Sequence, residues 1–171
     1  EILIGLVGSE MCIRDSDGTF QNNLMFAGDY KIILNKGNYI PQDTIDFRIN
    51  KGKNYKVFEV LPYIRIVNPD IRYKGNKVVA KFSLQQYTVD PVKTIALFAH
   101  TESHVSSNIQ TAKVSSEINT AVSPLTEYEL SMDLSQTTGI EREHSYFFRI
   151  GALSSTSEAK YNYSPAVEID L

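Results

Sequence analysis

The chain has 171 residues, 42% of them apolar and 22% charged, with a net charge of -3 and a single cysteine, Cys12. That length allows one large or two small domains, while the weak acidic balance offers no basic stripe for nucleic acid and no run of about 18 apolar residues marks a transmembrane helix. One thiol excludes an internal disulfide framework and a CxxC-type metal site, and ten Tyr and eight Phe without a Trp suit strands better than helices.

Residues 1–16, EILIGLVGSEMCIRDS, differ in character from the rest of the chain. As a signal peptide they lack an initiator Met and a cationic start, and the apolar stretch Ile2 to Val7 is shorter than the roughly 7–15 residues needed. Glu10 and Met11 stand where a lipid-acceptor cysteine wants small residues. GLVGSEMCIRD resembles translated adapter read-through at the ends of reading frames assembled from metagenomic reads. Residues 1–16 are therefore expected to be non-native, Cys12 to carry no function, and the true amino terminus to be missing.

From Asp17 onward the dominant period is two, as half-buried strands require. Asp17-Gly18 and Ala27-Gly28-Asp29 are turn signals. Tyr30, Ile32 and Leu34 share a face, and Ile45, Phe47 and Ile49 alternate with Asp46, Arg48 and Asn50. Lys51-Gly52-Lys53-Asn54 predicts a hairpin into a strand over Tyr55 to Val60. About four strands over residues 17–61 fall short of the roughly seven of a free-standing sandwich, so a partial first module is expected, with open edges. Leu61-Pro62-Tyr63 reads as the boundary, short and not Gly/Ser-rich, so the two modules are expected to be closely coupled rather than flexibly tethered.

A second module is predicted over residues 62–171. Tyr63 to Val67 opens it, and a Lys74-Gly75-Asn76 turn precedes Val78, Ala80, Phe82 and Leu84 on one face. Thr94 to Ala99 is apolar enough for a central strand. Residues 101–123 are rich in Ser, Thr and Asn and predict a short helix or an irregular edge strand. Tyr128, Leu130, Met132 and Leu134 alternate with polar residues, as do Tyr146, Phe148, Ile150 and Ala152 with Phe147, Arg149 and Gly151. Residues 166–171 predict a last strand, with Val167 and Ile169 on one face.

Several motifs look chemical and are better explained otherwise. His100 and His104 have zinc-ligand spacing only on a helix; on a strand, residues four apart lie about 13 Å from each other, and His144 is far along the chain. Asp15-Ser16-Asp17-Gly18 resembles the start of a calcium loop, yet Phe26 falls where the bidentate Glu is required. Glu127 with Glu129, and Glu141 with Glu143, have the look of glycosidase acids, but such acids face each other across a cleft, whereas alternating carboxylates on a strand face solvent. Without a G-x-S-x-G elbow or a Gly-rich phosphate loop, neither a catalytic site, a metal nor a cofactor is expected. Tyr87, Tyr161 and Tyr163 are the candidates for a sugar-stacking surface, since a phenol ring offers an apolar face and a hydrogen-bonding tip. Against that stands the plainer reading of Tyr161 and Tyr163 as a plug at the entrance to the last strand.

Leu130-x-Met132-x-Leu134 followed by Tyr146-x-Phe148-x-Ile150-x-Ala152 resembles strands E and F of a fibronectin type III domain. In such folds the strand-F tyrosine turns its hydroxyl back onto the chain as a tyrosine corner; here the gap before Tyr146 is longer than usual, which leaves the corner open. Asp17-Gly18-Thr19-Phe20 with Phe26-Ala27-Gly28-Asp29-Tyr30 resembles a transthyretin-like, or carboxypeptidase-regulatory, sandwich. Together with Leu61-Pro62-Tyr63-Ile64-Arg65-Ile66, Arg149-Ile150-Gly151-Ala152 and Tyr161-Asn162-Tyr163-Ser164-Pro165, the order resembles two-domain lipoproteins of Bacteroidetes encoded beside SusC/SusD-type glycan-uptake systems. The resemblance implies an all-β chain of tandem β-sandwiches, a truncated transthyretin-like module followed by a fibronectin type III or Ig-like module. It also implies a non-catalytic accessory or binding module at the outer membrane, held there by a lipid anchor outside this sequence, with glycan or SusC/SusD-type proteins as partners. The alternatives are a structural spacer or adhesin-like stalk without a small-molecule ligand and, more remotely, an appendage of a glycan hydrolase.

Overall fold

A computed structural model of the chain describes residues 12–14, 20–22, 24–34, 38–157 and 159–171. All its regular elements are strands, and the chain divides into two compact units, 1–61 and 62–171.

In the first unit β1 (Cys12–Arg14) pairs antiparallel with β2 (Phe20–Asn22), so residues from the segment expected to be foreign contribute backbone to a hairpin. The Asp15-Ser16-Asp17-Gly18 motif lies outside the described residues. A second antiparallel hairpin joins β3 (Gly28–Ile32) to β4 (Ile45–Ile49), with Tyr30 opposite Phe47 and Ile32 opposite Ile45. Lys31–Asp46 and Arg48–Asp29 ion pairs staple its exposed face, each worth at most about 1 kcal/mol. The strand predicted over Tyr55 to Val60 does not form. Asn54 folds back instead, its amide donating to the Asn50 and Gly52 carbonyls while its Oδ1 accepts from the Asn50 N–H. The chain then runs irregularly, with Tyr55 88% exposed. The side chain–backbone alternative won there because Asn competes for local backbone groups.

The second unit is a two-sheet sandwich. One sheet has three strands in the order β5 (Ile64–Lys74), β6 (Lys77–Gln86), β9 (Glu127–Asp133). Gly75, with φ of 63°, makes the tight link from β5 to β6. The other sheet is built on β10 (Ser145–Ser154), β7 (Val92–His100) and β8 (Ala112–Thr120), and both β11 (Tyr161–Tyr163) and β12 (Val167–Asp170) add to the free side of β10. Val78, Ala80, Phe82, Leu84, Leu130 and Met132 from the first sheet meet Ile95, Leu97, Tyr146, Phe148 and Ile150 from the second in one buried core.

Residues 101–123 take the second of the two predicted forms, an edge strand with a register slip opposite Val92 and Thr94. The first part is loop and the remainder is the full nine-residue strand β8. Only Ala112, Val114 and Ile118 reach the core from it, and the polar residues between them face outward on an edge, so the apolar signal is thin.

The tyrosine corner is present despite the long gap. Tyr146 is 3% exposed and its hydroxyl accepts the Glu141 N–H at 3.0 Å. Glu143, in the turn just before β10, has a left-handed φ of 66°, and its N–H donates to the Leu171 carbonyl.

Removing the corner hydroxyl as Tyr146→Phe strands a backbone donor and is expected to cost about 1–2 kcal/mol in chemical denaturation; an unchanged midpoint would show that water replaces it freely. The first unit buries a single apolar side chain among its described residues, Ile32. Calorimetry is therefore expected to show a low-temperature transition for residues 1–61 before the sandwich melts, and one cooperative transition would contradict this.

Candidate functional site

The last strand pair creates the most distinctive surface. Gly151 pairs with Tyr163 in β11, and Phe148 pairs with Val167 in β12. Between those pairs β10 advances three residues and the edge strand four. The extra residue falls at Ser164-Pro165, where proline cannot donate to a ladder. Buried Ser164 repairs the gap. Its N–H donates to the Ile150 carbonyl, its hydroxyl accepts the Ile150 N–H, and its carbonyl accepts Nε of Arg149 at 2.7 Å.

Such a bulge switches the side to which alternate residues point. Ile169 thus packs in the main core, while Tyr161 and Tyr163, at the same parity, pack outside it against Phe98. The two tyrosine rings lie 6.0 Å apart and meet the Phe98 ring at 5.3 and 5.9 Å, edge to face. They cover Gly151, where a Cβ would come within 2.8 Å of Phe98 and 2.9 Å of Tyr161.

Two cations lie over these rings. The Arg149 guanidinium is 4.7 Å from the Tyr163 centroid, and Lys113 Nζ sits 5.8 Å from Phe98 and 6.0 Å from Tyr161, within cation–π range. Burial pulls Arg149 below its ordinary pKa, with Tyr163 acting the other way, and burial raises the Tyr161 phenol. Arg149 also donates to the Val105 carbonyl, and the Ser107 N–H donates to the Tyr163 hydroxyl, which bonds Ser107 Oγ in turn. The loop after β7 is thereby held over the sheet with Val105 fully buried.

Tyr163 also borders a shallow, open groove of about 300 Å³, lined by Pro62, Ile64, Arg65, Ile66 and Asn162 as well. This is the seam where β5 of one sheet meets β11 of the other. The Asn162 amide donates to the Ile64 carbonyl at 2.5 Å and closes it. A tyrosine, an asparagine and an arginine lining one open groove are residue types that stack on and hydrogen-bond a polyhydroxylated ligand.

Of the three tyrosines singled out in the sequence, Tyr161 and Tyr163 are brought together and Tyr87 is not among the groove residues; its N–H donates to the Tyr63 carbonyl at the end of β6. Arg65, Lys113 and Arg149 were not anticipated, because lone basic residues on strands carry no motif.

The other chemical-looking groups are dispersed. His100 bonds Thr111, His104 bonds Ser103 and His144 bonds the Arg142 carbonyl. Glu127 and Glu129 both pair with Lys81 on the solvent face. No grouping of three metal-ligating side chains occurs among the described residues.

Comparison with known proteins gives matches to both halves. Residues 7–61 match the Protein of unknown function (DUF3823) N-terminal domain, and residues 64–168 the Domain of unknown function (DUF3823_C). A putative carbohydrate binding protein from Bacteroides uniformis is 33% identical with a TM-score of 0.82, the match covering 90% of this chain and 79% of that one. DUF3823 family proteins from Bacteroides ovatus and Parabacteroides merdae, each 21% identical, share the fold at a TM-score of 0.78. Those matches cover 94% and 93% of this chain, and 82% and 78% of theirs. No curated protein matches the sequence.

Gly151→Ala tests the aromatic cover. The added methyl must displace two or three rings, at about 1–3 kcal/mol, and Tyr161 and Tyr163 should become more mobile by aromatic NMR; a neutral substitution would mean the rings are only loosely seated.

Proposed function

The chain belongs to the DUF3823 family, and from that premise we propose that it is a non-catalytic saccharide-binding module acting at the cell surface. What carries the reading is the groove beside Tyr163. It brings together Tyr163, Asn162 and Arg65, residue types that stack on and hydrogen-bond sugars, at the seam of two strands. A relative 33% identical over most of both chains is a putative carbohydrate binding protein, which supports the same class of ligand.

The groove is open, so it suits a segment of an extended chain rather than an enclosed small molecule. Binding would be modest and would come from shape and stacking, without covalent chemistry. In this reading the protein is exported and lipid-anchored at the outer membrane and works beside a SusC/SusD-type pair, as its sequence resemblance implies. Surface labelling of intact cells and cross-linking test that setting: label confined to lysed cells, or no SusC/SusD-type partner, would remove it.

A second reading has its own observation. Tyr163 holds the loop after β7 through Ser107, which a purely structural spacer would also need. Titration calorimetry with a panel of polysaccharides separates the two. The saccharide reading expects binding by the intact chain, kept in Tyr163→Phe and weakened roughly tenfold or more in Tyr163→Leu. Silence across the panel leaves the spacer.

A further inference from the structure

The ion pairs of the second unit are unevenly placed. Among the described residues all four lie on the three-stranded sheet: Arg72–Asp70, Lys77–Asp133, and Lys81 with both Glu127 and Glu129. The five-stranded sheet has none among those residues, although it carries cations. Lys113 lies opposite Phe98 on β8, and Phe98 lies opposite Arg149 on β10, so the three form one row across the sheet.

Tyr163 stands at the centre of this arrangement. Arg149 is stacked on its ring, Lys113 covers its neighbour Tyr161, and Arg65 lines the groove that Tyr163 borders. Arg149 is half-buried, yet its protein partners are neutral carbonyls, those of Ser164 and Val105. Taking a guanidinium partly out of water without a counter-charge is unfavourable. An anion arriving from solvent would relieve that cost, and it would meet two exposed cations on the way. Two carboxylates share this face: Glu168, opposite Phe147 and one row from Arg149, and Glu117, opposite Thr94 in the row of Tyr161 and two rows from Lys113. Neither forms an ion pair with the three cations.

We propose that the saccharide seated against Tyr163 is anionic, a polysaccharide bearing carboxylate or sulfate groups that Arg65 and Lys113 select. The inference rests on the saccharide reading above and narrows it. Arg65 acts inside the groove, where its planar fork suits a carboxylate or a sulfate equally. Lys113 acts as a point charge beside the tyrosine pair and draws in the next charged sugar along the chain. Arg149 stays a positioning residue, since its bonds to Ser164 and Val105 hold the surface in shape.

The test is titration of the intact chain against charged and neutral forms of the same polymers. One pair is polygalacturonic acid and its methyl ester; the other is chondroitin sulfate and desulfated, carboxyl-esterified chondroitin. The charged member of at least one pair is expected to bind roughly tenfold or more tightly, with affinity falling as salt rises. Preference confined to one pair identifies the group as carboxylate or sulfate. Arg65→Met and Lys113→Met, both at exposed positions, should each weaken the charged polymer roughly two- to fivefold and leave a neutral one unaffected. Equal binding of charged and neutral forms, or full affinity in both variants, overturns the anionic selectivity and leaves the saccharide reading standing. If neither these polymers nor a panel of neutral glycans bind, both fall together.

Discussion

The surface of this protein turns on one extra residue in an edge strand. Were β11 and β12 a single regular strand, the residues at odd positions would all face one way. Tyr161 and Tyr163 would then compete with Ile169 for the interior, or expose Ile169 to water. The bulge at Ser164-Pro165 resolves the conflict by changing face midway. It is stable because Ser164 supplies both bonds that proline and the slip take from the ladder, and because Arg149 caps its carbonyl. Cores hold aliphatic side chains well; phenols with bonded hydroxyls suit a half-covered surface.

The same device recurs around the sandwich. β5 slips its register between Val67 and Asp70, next to Asn68 at φ 49° and Pro69, and β8 slips opposite Val92 and Thr94, next to Asn119 at φ 50°. Bulges and prolines on outer strands interrupt the row of free backbone groups that would otherwise invite another chain to pair. At Ser164-Pro165 the interruption does more, because it presents a pair of aromatic rings and leaves a seam open beside them.

Much of the fold was legible in the sequence because burial leaves a period of two. Val78 to Leu84 and Tyr146 to Ala152 are half-buried strands whose alternation survives intact. β8 was legible only as one of two alternatives, an irregular edge strand or a short helix, because an edge strand needs only a few inward residues, and Tyr55 to Val60 misled because its apolar residues pair with no strand among the described residues. The tyrosine corner was in question because the loop before Tyr146 is long, yet the bond that makes it, from the Glu141 N–H, spans only five residues and is indifferent to the loop's length further upstream. For the candidate site, the tyrosines were visible as residue types. The cations were not, because Arg65, Lys113 and Arg149 lie far apart in the chain; strand pairing through Phe98 brings Lys113 and Arg149 into one row, and Arg65 lies on the other sheet, lining the groove beside Tyr163. Nor could the sequence tell that Tyr87 does not line the groove with Tyr163, since that depends on which sheet its strand joins.

The claim most open to direct test is that ligand binding belongs to this seam and not to the charged face of the three-stranded sheet or to the exposed loop tips at Val89 and Leu125, each 94% exposed. Amide and side-chain NMR shifts of the intact chain, followed during titration with oligosaccharides from a polymer it retains, answer it. The account requires shifts concentrated at residues 62–66 and 161–164, with Arg65 and Asn162 side-chain signals moving together. Shifts centred on Lys81, Glu127 and Glu129, or on the loop tips, with the seam silent, would contradict it.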